Sequence, residues 1–111
     1  MDKLTRYRDI IRRVAAEYAA WKPRGEGVVS EIVHDPDCDH FELKYVGWQD
    51  RRRVHSTVFH LDIIDGKIWV QFDGSDRPVA DELVRAGVPK EDIVLAEQPP
   101  EVRPLTGYGV G

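Results

Sequence analysis

The sequence holds a single cysteine, Cys38, so no internal disulfide can form and packing must hold the core. That usage points to a reducing compartment, and the cytoplasm is the expected location. No apolar run approaches the roughly 20 residues that a membrane-spanning helix needs. Met1-Asp2-Lys3-Leu4 runs straight into an amphipathic pattern, so no signal peptide is expected. A phosphate-cradling loop is also missing. Gly107-Tyr108-Gly109-Val110-Gly111 is rich in glycine, but no helix follows it to supply an anion site. Nor is there a basic excess, since the net charge is −4. Residues 1–25 hold seven Lys/Arg against three Asp/Glu, net +4, and residues 26–111 hold nine against seventeen, net −8. A self-sufficient nucleic-acid binder normally carries a basic face. Here the basic groups are confined to the first segment and to Arg51-Arg52-Arg53, and the charge argues against direct DNA contact.

The composition describes one soluble domain. The 111 residues, 41% hydrophobic and 32% charged, suffice for a core without metal or disulfide staples. Leu4, Tyr7, Ile10, Ile11, Val14, Tyr18 and Trp21 recur at helical spacing and predict a helix over 3–21, ended by Pro23 and Gly25. Strands follow over 28–34, 40–48, 53–64 and 67–73. Asp65-Gly66 is a strong hairpin signal between the last two. Counting out from that turn pairs Ile63 with Ile68, Leu61 with Val70 and Phe59 with Phe72 on an apolar face. The other face then holds Asp62 beside Trp69, His60 beside Gln71, and Val58 beside Asp73. A second helix is expected over 76–86, with Ser75 as N-cap, Asp76 in its first turn, and Gly87-Val88-Pro89 as its stop. Ile93-Val94-Leu95-Ala96 reads as an edge strand, and Glu97–Gly111 as an irregular tail. The expected fold is α+β: an N-terminal helix, an antiparallel meander of four to five strands, a second helix near 76–86, and that tail.

Three groupings of reactive side chains carry different weights. His34, Cys38 and His40 crowd one acidic turn, but their spacing matches no standard zinc pair and no second cysteine exists. Ser56, His60 and Asp62 alternate along one strand and point to the same face. Strand residues four apart are separated by roughly 13 Å, so Ser56 cannot bond His60 as a nucleophile to its base. His60 and Asp62 could share a metal only with a third ligand that the sequence does not identify. No cofactor, no metal and no catalytic group are therefore expected. Arg51, Arg52 and Arg53 sit at a hairpin tip, where three charges are ordinarily solvated.

A set of short motifs in one order resembles the XisI family, the excision-controlling factors associated with the fdxN element of cyanobacteria. They include Leu4, Tyr7, Arg8 and Ile11, then Tyr18, Lys22-Pro23, Asp39-His40-Phe41 and Val46-Gly47-Trp48. Arg53-Val54, His60-Leu61-Asp62-Ile63, Asp65-Gly66-Lys67-Ile68-Trp69 and Asp73-Gly74 follow. The most specific stretch is Gly87-Val88-Pro89-Lys90-Glu91-Asp92-Ile93-Val94-Leu95-Ala96, and Pro99-Pro100, Arg103, Thr106-Gly107-Tyr108 and Val110-Gly111 close it. Glu97 stands where the pattern has an aromatic, and Pro78 where it has glycine.

The resemblance implies one XisI-like domain over 1–111 and a part in regulated DNA excision, beside a recombinase and a nuclease-related companion, XisH. It implies no catalytic motif. The reading that follows is a non-enzymatic regulatory protein whose partner is a XisH-like protein, with self-association as a further expectation and no membrane partner. The candidate partner surface is His60, Asp62, Trp69 and Gln71 with Thr106 and Tyr108 from the tail. The alternatives are a DNA-binding regulator using Arg12, Arg13, Arg51, Arg52 and Arg53, and a metal-dependent hydrolase centred on His60 and Asp62.

Overall fold

Asp2 starts the first helix by accepting the Thr5 N–H at 2.7 Å, which satisfies one of the unpaired donors of the first turn. This helix, α1, covers Lys3–Ala20. In the computed structural model, residues 2–21 and 26–111 are described, so the expected stop at Pro23 and Gly25 lies outside the described residues. Tyr7, Ile10, Ile11, Val14, Ala15 and Tyr18 form the buried stripe of α1. Five strands follow as one sheet in the order β1-β2-β3-β4-β5: β1 Val28–Asp35, β2 His40–Gln49, β3 Arg52–Ile64, β4 Lys67–Asp73 and β5 Ile93–Leu95. The second helix, α2, spans Val79–Arg85 between β4 and β5. Both helices belong to the core that lies on one face of the sheet. Phe41, Leu43, Phe59, Leu61 and Ile68 meet Tyr7, Ile11, Val79 and Leu83 there, each 2% exposed or less. Full burial of a large apolar side chain contributes about 1.5–3 kcal/mol relative to exposure.

The first four strands form the expected antiparallel meander. At the tip of the β3–β4 hairpin Asp65 and Gly66 both take positive φ, 51° and 78°, as a primed two-residue turn requires. β5 differs from a meander continuation and pairs parallel with β4. A parallel neighbour needs a crossover connection, and α2 supplies it.

Simple counting fails because β3 and β4 each carry a one-residue bulge, and three expected pairings, Phe59–Phe72, His60–Gln71 and Val58–Asp73, are overturned. In β3, Leu43 pairs with Phe59 but Lys44 pairs with Thr57, so Val58 is the extra residue. In β4, Leu61 pairs with Val70 but His60 pairs with Phe72, so Gln71 is extra. Phe59 therefore lies opposite Asp73 and not Phe72, and His60 lies opposite Phe72 and not Gln71. Phe72 leaves the core and is 41% exposed. Because side chains alternate with period two, one extra residue reverses which face the rest of a strand presents.

α2 also begins later than the expected 76. The residue before a proline is pushed out of the helical region, so Arg77 cannot be helical ahead of Pro78. Pro78 itself is the N-cap, with φ −54° and ψ 122°. Ser75 does not cap the helix; its hydroxyl donates at 2.6 Å to the Arg77 carbonyl. Asp73 takes the capping task and accepts the Val79 N–H at 2.8 Å and the Ser75 N–H at 3.0 Å. The end of α2 is as expected. Gly87, at φ 110°, donates to the Val84 carbonyl and Val88 to the Leu83 carbonyl, both at 3.0 Å, which is the paired C-terminal closure that glycine favours.

Two buried tyrosines tie distant segments together. Tyr7 donates to Asp92 at 2.5 Å, and Tyr18 donates to the Arg77 carbonyl at 2.6 Å. Burial, with the Asp92 carboxylate added for Tyr7, pushes both phenols up to about 12. An unfolded phenol titrates near 10. The neutral forms thus stabilise the fold fully below about pH 10, and that stabilisation is lost as pH rises through about 12. Alkaline titration followed by tyrosinate absorbance should show two phenols ionising only as the circular-dichroism signal collapses. Ionisation of all four tyrosines near pH 10 with the fold intact would contradict this packing.

Candidate functional site

The face of the sheet turned away from the helices is largely bare. β1 presents Val29, Glu31, Val33 and Asp35 there, and β2 presents Val46, Lys44, Glu42 and His40 opposite them by register. β3 continues the face with His55, Thr57, His60 and Asp62. Val29 is 58% exposed and Trp48 is 53% exposed. Trp48 pairs with Arg53, whose guanidinium lies 5.6 Å from the indole centroid.

In the middle of this face lies a closed polar network. His40 is directly opposite Asp62 because the Val58 bulge shifts the β2–β3 register by one. Its Nδ1 lies 2.9 Å from Asp62 Oδ1, and its Nε2 lies 2.9 Å from Glu42 Oε2. His60 Nε2 is 3.1 Å from the other Asp62 oxygen. The two imidazoles meet edge to face, with centroids 4.3 Å apart. Glu42 also accepts from Thr57 at 3.3 Å, and Lys44 donates to Thr57 at 3.0 Å. The Glu42 hydrogen bond raises the His40 pKa, and burial only partly opposes it. His40 in turn holds Glu42 below the ordinary glutamate range.

Sequence reasoning placed His60 and Asp62 together, and the structure does the same. It missed His40. Counting straight back from a two-residue turn at Asp50-Arg51 sets His40 opposite Leu61, and the bulge alone brings it opposite Asp62. The same bulge removes Ser56 from this group. Ser56 pairs with Tyr45 and lines a cleft on the helix side with Tyr18, Trp21 and Val54. The acidic turn is divided as well. His34 stacks on Phe41 with centroids 4.1 Å apart, on the helix side, whereas its neighbour Asp35 pairs with His40. Cys38 donates to Asp35 at 2.9 Å.

The remaining candidates scatter. Trp69 pairs with Asp62 on the bare face, and the tail covers part of it: Arg103 lies 5.3 Å from its ring centroid, and Gly111 packs against its edge. Gln71 is the bulge residue. Thr106 closes a local turn by donating to the Arg103 carbonyl at 2.7 Å. Tyr108 packs on the helix-side core and donates to Asp81 at 3.0 Å, away from the Trp69 surface. Between them Gly109 bonds the Ile93 carbonyl at 2.7 Å and bridges Val94, so the tail runs along the β5 edge. Glu97 accepts the Asp73 N–H at 3.1 Å, a role an aromatic could not fill.

The arginines do not form one surface. Arg12 contacts Asp9 and His34, near the Phe41 end of β2, and Arg13 lies exposed on α1. Arg53 bonds the Gly47 carbonyl near the other end, and Arg51 and Arg52 are exposed beside it. Six strand residues, roughly 20 Å, separate the two groups.

The family model described as "XisI protein" matches residues 1–110. The chain belongs to the XisI family. Two solved structures agree with it. A XisI-like protein from Anabaena variabilis ATCC 29413 is 40% identical over 97% of this chain and 99% of its own, with a TM-score of 0.89. The fdxN element excision controlling factor XisI from the same organism is 31% identical over 99% of this chain and 100% of its own, with a TM-score of 0.80. No curated protein matches. Membership in the XisI family points to a role in excision control. Among the described residues no helix is long and apolar enough to cross a membrane.

The tail's contacts with Trp69 can be read in solution. Trp21 and Trp48 are already about half exposed, so Trp69 is the most shielded indole. A chain ending after Leu105 should show tryptophan emission shifted to the red with its helix content intact. Unchanged emission would contradict the packing of Gly111 on Trp69.

Proposed function

We propose that this XisI-family chain is a non-enzymatic regulatory protein of the cytoplasm. It acts in DNA-element excision, or a related process, by binding a XisH-like, nuclease-related protein through the bare face of its sheet. The observation that carries this reading is that both helices lie on one face while the other stays open, with Val29, Val33 and Trp48 each at least 38% exposed. Exposed apolar side chains bordered by polar groups are a common mark of protein interfaces, and exposed tryptophan is a frequent anchor. The acidic net charge suits a partner with a basic, nucleic-acid-handling surface. The division of the arginines into two distant groups weighs against direct DNA binding. Ser56, turned to the helix side, offers no serine nucleophile to the histidines, which weighs against a serine-triad hydrolase.

Co-expression with the XisH-like protein of the same genome tests the reading. The wild-type chain should retain the partner on affinity purification. The double variant Val33→Asp, Trp48→Ala should lose at least tenfold in affinity with an unchanged circular-dichroism spectrum. Arg12→Ala, Arg13→Ala should keep the partner. Full retention by the face variant, or loss only in the helix variant, would overturn the assignment.

A further inference from the structure

We infer that His40, His60 and Asp62 form a binding site for one divalent transition-metal ion of the zinc class. One ligand atom from each of the three lies within 4.8 Å of the others. Two donors on one ion at about 2.1 Å and tetrahedral angles sit about 3.4 Å apart. His40 Nδ1 lies 2.9 Å from one Asp62 oxygen and His60 Nε2 3.1 Å from the other, so the carboxylate stands between the two imidazoles with an oxygen near that spacing from each. Two imidazoles and one carboxylate suit zinc, iron or cobalt and disfavour magnesium or calcium, which take oxygen ligands. Three protein ligands also leave coordination positions open. The ligand side chains are 29%, 29% and 19% exposed, so an ion can enter from solvent.

The surroundings match a metal centre beyond the ligand count. All three residues stand on neighbouring strands, His40 directly opposite Asp62 and His60 two residues along. Glu42 holds His40 Nε2 at 2.9 Å, so an Nε2–H donated there leaves the Nδ1 lone pair free for an ion. A carboxylate behind a ligating histidine is the usual second support of such sites, and it fixes both ring orientation and tautomer. Glu42 is itself held by Thr57 at 3.3 Å and paired with Lys44 at 3.6 Å. Cys38, a softer donor nearby in sequence, is bonded to Asp35 and stands outside the group. The site does not depend on the partner reading, because it needs only this chain.

The test uses the full chain, stripped with chelator and titrated with Co²⁺ and with Zn²⁺. Co²⁺ should give a saturable visible band at one ion per chain, displaced by Zn²⁺. In the wild-type chain bound Co²⁺ should shift the ring-proton resonances of His40 and His60 far from their metal-free positions and leave those of His55 close to theirs. That measurement needs no folded variant. His60→Ala and Asp62→Asn should abolish saturable binding, and Glu42→Gln should weaken it about 10–100-fold. Cys38→Ser should bind as wild type. Absence of a saturable band, shifts at His55 in place of His40 and His60, or loss of binding in Cys38→Ser would overturn the assignment.

Discussion

Two single-residue bulges decide what each face of this sheet carries. Val58 is the extra residue of β3 and Gln71 that of β4. Without the first, His40 would lie opposite Leu61, and Ser56 would share the face of His60. With it, Phe41 and Leu61 face the helices together, and His40 meets Asp62 on the other side. The second bulge turns Phe72 out of the core and sets Asp73 opposite Phe59. From there Asp73 can cap α2, and α2 can cross over to deliver β5 parallel to β4. The polar network, the helix cap and the crossover thus follow from two local departures from a regular ladder. Bulges bend and twist a strand as well as reversing its faces, so they suit the boundary between a paired and an unpaired stretch. β3 is such a case, because β4 pairs with it only from Phe59 onward.

What the sequence made legible was regular, and what it hid was an exception to regularity. The period-3.6 stripe from Leu4 to Tyr18 located α1 to within a residue at each described end. Alternation and the Asp65-Gly66 turn located four strands and the pairs next to that turn. Gly87 and Val88 marked the end of α2 because the closing motif has a fixed residue requirement. A bulge has no such requirement. Val58 and Gln71 look like ordinary strand residues, so pairs beyond them were misassigned and His40 went unrecognised. The start of α2 failed for a different reason. Ser75-Asp76 has the composition of a cap, but Pro78 two residues later disfavours helical backbone at Arg77, and the helix starts after it. β5 was legible as a short apolar strand. Its direction was not, because direction depends on how the crossover packs.

The two faces divide the work of the molecule. The helix side buries the aliphatic and aromatic groups and uses Tyr7 and Tyr18 to fasten the segments before and after α2. Arg8 and Asp39 fasten α1 to the β1–β2 turn with a forked pair at 2.8 and 3.0 Å. The Arg8 hydrogen bonds keep the Asp39 carboxyl below its usual range. The other side is closed only near β5, where Arg103, Gly109 and Gly111 cover Trp69 and Val94. Val94 is fully buried there. Among the described residues the β1–β3 portion has no such cover, and its charges answer one another. Two histidines and a lysine share the area with Glu42 and Asp62, which keeps the surface polar without giving it a single sign. A surface of that kind can bind a folded protein and still remain soluble alone.

The XisI relatives share this fold over nearly the whole chain, at 40% and 31% identity. That agreement extends over 97% and 99% of this chain. The central claim is that the partner covers this face. Methyl chemical shifts of Val29, Val33 and Val46 report it most directly, read with and without the XisH-like protein. Large shifts at these three, with the α2 methyls of Val84 unchanged, are the predicted result. Shifts confined to Val84 and the outer side of α1, with the three face valines unmoved, would contradict it.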